Sequence, residues 1–381
     1  MAIWQRLQRW QRGFERWFGS TRAKRRWLGS FLVGVSLVSA IAACSSNSTT
    51  TTSSPSSQTV AQQSNDVQLT LVSFAVTKAA HDAIIPKFVA QWQKDHNQTV
   101  SFEQASYGGS GSQTQKVLEG GLDADVVHLA LGLDVNKLVT AGLVSSDWQQ
   151  QAPHNGIVSR SVVALATHPG NPKGINSFAD LTKPGVTLVT ANPKTSGVAR
   201  WNFLALWNSV VKAGGDETKA LDFVTQVYKN VPELPGDARV ATETFYKRGL
   251  GDVLLNYENE IILAKQRGEK VEYVVPDVNI SIENPVAIVE KNVAKHGNRD
   301  VAEAFVKFLY TPDAQAEFAK VGFRPVDEAI AKEKEVMTKY PTVPTLSTVQ
   351  DFGGWEQVQQ KFFEDGAIFD QIQTRIKQTK S

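Results

Sequence analysis

One cysteine in 381 residues, Cys44, is the first conspicuous shortage. A single thiol forms no intrachain disulfide and supplies no cysteine set for zinc, so stability has to come from core burial. The six histidines, His81, His96, His128, His154, His168 and His296, include no HExxH and no paired ligand spacing, and neither a metal nor a cofactor is expected. His128 falls within a buried apolar run and reads as a core residue. The stretch "YGGSGSQ" is not G-x-S-x-G, because Gly108 lies two before Ser110 but Ser112 lies two after it; it also lacks the GK[ST] ending of a phosphate loop. Clusters such as "KEKEV" and "GDET" read as solvated faces. Repeats of fixed period are absent. With 41% apolar and 20% charged residues the chain is an ordinary globular one, long enough for two cores.

Net charge is also small, +2, and its sign comes from the N-terminus. Residues 1–27 hold eight Lys or Arg against the single acid Glu15, and an uncharged run from Trp27 to Ala43 follows. That is the pattern of an export signal, too short for a comfortable membrane span. It ends in "IAAC", which resembles a bacterial lipobox, so Cys44 is expected to carry lipid as the first mature residue; an uncleaved signal anchor is the alternative. "KRRWL" faintly resembles a twin-arginine signal, and the export route stays open. Removing residues 1–43 leaves 32 basic against 37 acidic residues, a net charge of −5, with no basic patch interleaved with aromatics; nucleic acid is a poor partner. Residues 44–66 form an expected tether, since 12 of the 15 residues from 45 to 59 are Ser or Thr and offer almost nothing to bury.

From Val67 onward strand and helix signals alternate. "VQLTLVSF" reads as a strand, and Lys78 to His96 as a helix whose Ile84, Ile85, Phe88, Val89 and Trp92 share one face. Strand "TVSFEQAS", glycine loop "YGGSG", helix "SQTQKVLEGG" and buried strand "ADVVHLAL" follow. After "SRSVVALATH", "GVTLVT" feeds a loop and the helix "VARWNFLALW"; a helix from Glu217 to Asn230 and "DARVATETFYKRGLGDVLLNY", helix then strand, come next. The alternation predicts α/β lobes, each a mainly parallel sheet flanked by helices. "SRSVVALATH" and "ENPVAIVEKN" are read as segments passing between lobes, giving lobe one residues 67–153, lobe two 154–283, and a return to lobe one with C-terminal helices over 284–381.

In open α/β sheets ligands sit beyond the carboxyl ends of strands. Four loops there, "FAVTKAA", "YGGSGSQ", "NPKTSGVAR" and "PGDARVATETF", lead into helix starts with no carboxylate in their Gly/Ser core. The first N–H groups of a helix lack partners and carry about half a positive charge. Taken singly, each loop is an ordinary turn or helix cap. Converging, they would form an anion site without an opposing Lys or Arg.

"NPKTSGVAR", with "SYGGSGSQ", "ADVVHLAL", "GDVLLNYENE", "FRP" at Phe323 and "FGGW" at Phe352, resembles the periplasmic sulfate-binding proteins of bacterial ABC-type sulfate and thiosulfate importers, over about Val67 to Gln371. The resemblance implies a two-lobed periplasmic-binding-protein fold of type II that closes on dehydrated sulfate. It implies ligands at Ser110 through its hydroxyl, at Ser196, Gly197 and Val198 in the signature loop, and at the N–H groups of Ala75 and Ala238. The family's remaining donor is a tryptophan indole; Tyr257 stands there. An indole N–H only donates, whereas a phenol donates or accepts, so Tyr257 is expected to bear on selectivity between sulfate, thiosulfate and protonated anions.

The resulting expectation is a periplasmic, lipid-anchored, monomeric receptor, not an enzyme, that passes sulfate or thiosulfate to an ABC-type permease in the cytoplasmic membrane. A receptor for molybdate or phosphate is the alternative, and a secreted serine hydrolase using Ser110 a more distant one.

Overall fold

The computed structural model describes residues 66–102 and 105–380. The expected signal segment 1–43, the tether up to Asn65 and Cys44 lie outside the described residues.

Two mixed sheets organise the chain. The strands in chain order are β1 Val67–Gln68, β2 Leu71–Phe74, β3 Val100–Ser101, β4 Ser106–Gly108, β5 Val126–His128, β6 Ile157–Ser161 and β7 Val163–Thr167. They continue with β8 Leu188–Val189, β9 Val253–Tyr257, β10 Glu272–Val274, β11 Val278–Ile280, β12 Ile282–Ile288 and β13 Thr345–Ser347. The first sheet has the order β4-β2-β5-β12-β6 and the second β10-β7-β9-β8. Small two-stranded pairs join β1 to β3 and β11 to β13.

The helices that matter for the site are α1 Lys78–His96, α2 Ser110–Leu118, α3 Gly132–Thr140, α4 Gly197–Lys212, α5 Glu217–Lys229, α6 Ala238–Tyr246 and α7 Glu258–Gln266. In α1, Ile84, Phe88 and Trp92 fall four residues apart and are buried, while Ile85 and Val89 on the flank are half-buried. The helix stops at Asn97, which turns left-handed (φ 50°, ψ 38°) and returns its N–H to Gln93 O. Helix α4 is buried on every side from Gly197 through Asn208, its polar Arg200, Asn202 and Asn208 included.

Parallel pairing is confined to β4/β2/β5 in the first sheet and β8/β9 in the second; β12 runs against β5 and β6, and β7 against β9 and β10. The sheets are therefore mixed where mainly parallel ones were expected. The carboxyl ends of the parallel strands face the space between the sheets. A strand arriving from the other lobe starts at that end and has to run the opposite way.

"SRSVVALATH" makes the outward crossing: β6 belongs to the first sheet, β7 to the second, and only Val162 separates them. That change of sheet lies past the boundary expected at 153/154. The return runs between β10 and β12. Two runs read as single strands are broken. In "VQLTLVSF" the gap between β1 and β2 arises where Thr70 N–H donates to Asp125 Oδ2 (2.7 Å) instead of to a ladder.

Candidate functional site

The loop "NPKTSG" is built on Asn192. Its Oδ1 accepts from Lys194 N–H (2.9 Å), and its carbonyl accepts from the N–H groups of Thr195 (3.1 Å) and Ser196 (2.8 Å). These bonds turn the chain by Ser196, which has extended backbone (φ −117°, ψ 127°) and stands as N-cap of α4. The usual N-cap serine gives its oxygen to a helix N–H. Ser196 makes no such bond, so its hydroxyl and the first N–H groups of α4, at Gly197 and Val198, are left facing outward.

Three other starts face the same space. A 3₁₀ turn over Ala75–Thr77 follows β2 directly, with no side-chain cap. Helix α2 begins at Ser110 after Gly109, again without a side-chain cap. Helix α6 begins at Ala238, capped by Asp237, whose carboxylate accepts from Val240 N–H (2.9 Å). Tyr257 ends β9 and is 1% exposed.

All seven residues singled out in the sequence, Ala75, Ser110, Ser196, Gly197, Val198, Ala238 and Tyr257, line one cavity, and among the described residues no Lys or Arg lines it. The cavity is small, about 10 Å³. One small tetrahedral oxyanion fits; a sugar ring does not.

Close approach of the two lobes depends on two glycines. A Cβ on Gly109 would lie 2.7 Å from Thr195 O and 3.0 Å from Gly236 O, and one on Gly197 would lie 2.4 Å from Ala130 Cβ. The Trp201 indole N–H also spans the lobes, donating to Ala130 O (3.0 Å).

Ser110 departs from expectation. Its single hydroxyl proton goes to Asp134 Oδ2 (2.7 Å), and the oxygen accepts from Ala130 N–H (3.0 Å). As first residue of α2, Ser110 also has a backbone N–H without a partner inside the helix. Asp134 is fully buried, with Lys137 Nζ at 3.3 Å from its other oxygen. Its charge also supports the buried Arg200 guanidinium, whose ionisation burial opposes. Asp134 in "GLDVN" and Asp237 on the cavity wall are the two carboxylates that sequence reasoning missed. Nothing in the local sequence separates Asp134 from a surface acid, whereas Asp237 stands at the N-cap position of the quoted loop "PGDARVATETF".

The Tyr257 hydroxyl is buried without a hydrogen-bond partner. Burial foremost, then the Asp134 and Glu260 carboxylates, push its pKa well above that of a free phenol; Asn284 lies close enough to oppose this without completing a bond of good geometry. It is a neutral phenol at any physiological pH, with a proton to donate. Its ring stands 6.2 Å from that of Phe74, which also lines the cavity.

Comparison with known proteins shows the family of the chain. The bacterial extracellular solute-binding protein family matches residues 69–324. A protein of Synechococcus elongatus named sulfate-binding protein is 53% identical over 354 residues, 93% of this chain and 97% of its own. One of Pseudomonas aeruginosa named thiosulfate-binding protein is 38% identical over 305 residues, 79% of this chain and 90% of its own. The solved structure of a sulfate-binding protein from Mycobacterium tuberculosis is 37% identical with a TM-score of 0.71, covering 78% of this chain and all of that one. The chain belongs to the bacterial extracellular solute-binding proteins, with the two-lobed fold of that family.

Proposed function

We propose that this protein is an extracytoplasmic receptor that holds sulfate, and with it thiosulfate, in the closed cavity and passes it to an ABC-type permease. The observation that carries the reading is a set of unspent donors around a space the size of one oxyanion: the N–H groups of Ala75, Ser110, Gly197, Val198 and Ala238, and the hydroxyls of Ser196 and Tyr257. Burying a dianion without compensation costs on the order of tens of kcal/mol. Seven charge-assisted hydrogen bonds at about 1.5–3 kcal/mol each supply roughly 10–20 kcal/mol, and helix dipoles add to it. Asp237, the carboxylate on the wall, is engaged by Val240 N–H, and the remaining polar groups can all donate, which favours an anion that carries no proton of its own.

In this reading the cavity does no chemistry. The proton of Ser110 is directed at Asp134 and not at a histidine, which leaves the serine a pin between α2 and the loop at Ala130. The leader over residues 1–43 delivers the chain across the cytoplasmic membrane, and Cys44 with the tether after it holds the receptor near its permease. The receptor works as a monomer, its first lobe built on the sheet β4-β2-β5-β12-β6 and its second on β10-β7-β9-β8, with the arm after Gly354 packed on the second.

Calorimetric titration of the purified protein with sulfate, thiosulfate, molybdate and phosphate at two pH values tests the reading. Saturable heat with sulfate or thiosulfate at one site is expected. No heat with either overturns it, and phosphate binding more tightly than sulfate overturns the argument from a shell of donors.

A further inference from the structure

Lys194 sits two residues before Ser196 in the anion loop, yet its side chain leads away from the cavity. Its Nζ lies 3.1 Å from Phe363 O, 3.4 Å from Glu364 O, 2.9 Å from Asp370 Oδ2 and 3.4 Å from Asp365 Oδ1. Two main-chain carbonyls and two carboxylates of one C-terminal arm thus receive a single ammonium. Arg200, at the other end of the same loop, donates from Nε to Pro193 O (2.9 Å) and lays its guanidinium 5.3 Å over the Phe363 ring. Asp370 is oriented for the task, since it also accepts from Gly366 N–H (2.8 Å).

The same arm reaches the opposite wall. Trp355, in the short helix Gly354–Val358, packs edge to face on Trp201 with 4.5 Å between ring centroids. The Trp201 N–H holds the carbonyl of Ala130, which lines the cavity, and the Trp355 ring lies against Gly132, the first residue of α3. Farther along, Phe362 and Phe363 pack on Phe203 of α4, and Arg375 approaches Asp222 of α5 (3.5 Å). An arm fixed on the second lobe therefore touches the back of the Asn192–Ser196 loop and, through Trp355, the Ala130–Gly132 segment of the first lobe, without lining the cavity.

We propose that residues 354–370 form a brace for the anion site, with Lys194 as the positioning residue that holds the donors of Ser196, Gly197 and Val198 in register against the first lobe. This deepens the receptor reading given above and rests on it. Three adjacent donors are useful only if they keep one orientation while the anion is held, and a loop rich in turn residues does not supply that rigidity alone. Tethering the loop from behind, with an ammonium whose charge is already matched by Asp370 and Asp365, stiffens it without placing a cation in the cavity. The brace slows escape of the anion; it does not speed capture, because no part of it lies in the path from solvent.

Lys194→Met removes the ammonium and keeps the stem, and Lys194→Arg restores a cation able to reach the same carbonyls and carboxylates. Two readouts are taken on the purified protein and both variants: amide hydrogen exchange without ligand of Thr195 and Ser196, whose N–H groups are bonded to Asn192 O, and stopped-flow association and dissociation of sulfate. The expected result for Lys194→Met is about tenfold faster exchange at those amides at unchanged global stability, with sulfate dissociation about tenfold faster and association unchanged, the scale of one charge-assisted hydrogen bond. Lys194→Arg should recover most of both. Unchanged exchange in Lys194→Met overturns the brace whether or not sulfate binds. A parent protein that fails to bind sulfate overturns the receptor reading instead, while the exchange data still decide the brace. Equal losses in association and dissociation, or a uniform rise in exchange across the chain, would mean general destabilisation and would also overturn it.

Discussion

Replacing Gly109 by alanine adds one methyl group at the line where the lobes meet. The backbone there (φ −64°, ψ 130°) is open to any residue, so the substitution strains neither lobe alone. In the closed form the new Cβ would lie 2.7 Å from Thr195 O and 3.0 Å from Gly236 O, both main-chain atoms that cannot swing aside. Restoring ordinary contact requires the lobes to part by about 0.7 Å, which stretches donor bonds across the cleft from about 2.9 to about 3.6 Å, beyond hydrogen-bond range. If the first lobe's two N–H donors, at Ala75 and Ser110, are lost to an anion seated on the second lobe, the loss is roughly 3–6 kcal/mol at about 1.5–3 kcal/mol each, or 10²–10⁴ in Kd. Calorimetry with sulfate measures it, alongside the melting temperature without ligand, which should match the parent within about 2 °C. A Kd within about threefold of the parent would show that anion binding does not need this closure, and the account of donors from two lobes would fail.

Tyr257→Phe should act with opposite signs on two measurements: removing a buried unpartnered hydroxyl raises the unliganded melting temperature, while sulfate affinity falls about 10- to 100-fold for one lost donor. Calorimetry and thermal melting check the pair, and no loss of affinity would exclude the phenol as a ligand. His296 carries a pH dependence: burial works against its charge, but Asp125 (2.6 Å) and Asp123 (3.1 Å) outweigh burial and raise its pKa above the ordinary value. A raised folded-state pKa gives stability that is fully present below about 6.5 and is lost as pH rises through the folded value. Melting curves above pH 6.5 should therefore decline in the parent and decline less in His296→Gln; parallel slopes would refute the assignment. Since no Lys or Arg lines the cavity, sulfate Kd should change less than about twofold between roughly 20 and 300 mM salt, and a steep dependence would place the anion at a basic surface instead.

Periodicity and turn chemistry carry far in this chain, and fail where long-range pairing decides. Helix α1 was legible at both ends, because Ile84, Phe88 and Trp92 repeat at one helical spacing and Asn97 ends it. "SRSVVALATH" was legible as a crossing, since a strong strand with no tight turn has to find partners elsewhere. The breaks at Leu69 and Thr70 were not, because they depend on Asp125, which lies 55 residues from Thr70. Sheet direction was hidden for the same reason: β7 and β12 are apolar runs like their neighbours, and only their arrival from the other lobe turns them antiparallel. At the site, the meeting of several helix starts could be foreseen from the loops leading into them. The work of the Ser110 hydroxyl could not, since its partner Asp134 lies on another helix and looks in sequence like any solvated acid. The brace was hidden too: "NPKTSG" shows Lys194 beside the donors but not that its charge is taken up by Asp370, 176 residues away.

The claim beneath all of this is that main-chain N–H groups from both lobes hold the anion. Amide proton shifts of the deuterated, ¹⁵N-labelled protein during a sulfate titration test it most directly. The account predicts large downfield shifts at Ala75, Ser110, Gly197, Val198 and Ala238 that saturate together at the calorimetric stoichiometry. Saturation with those five amides unmoved, or with shifts gathered around surface lysines, would contradict it.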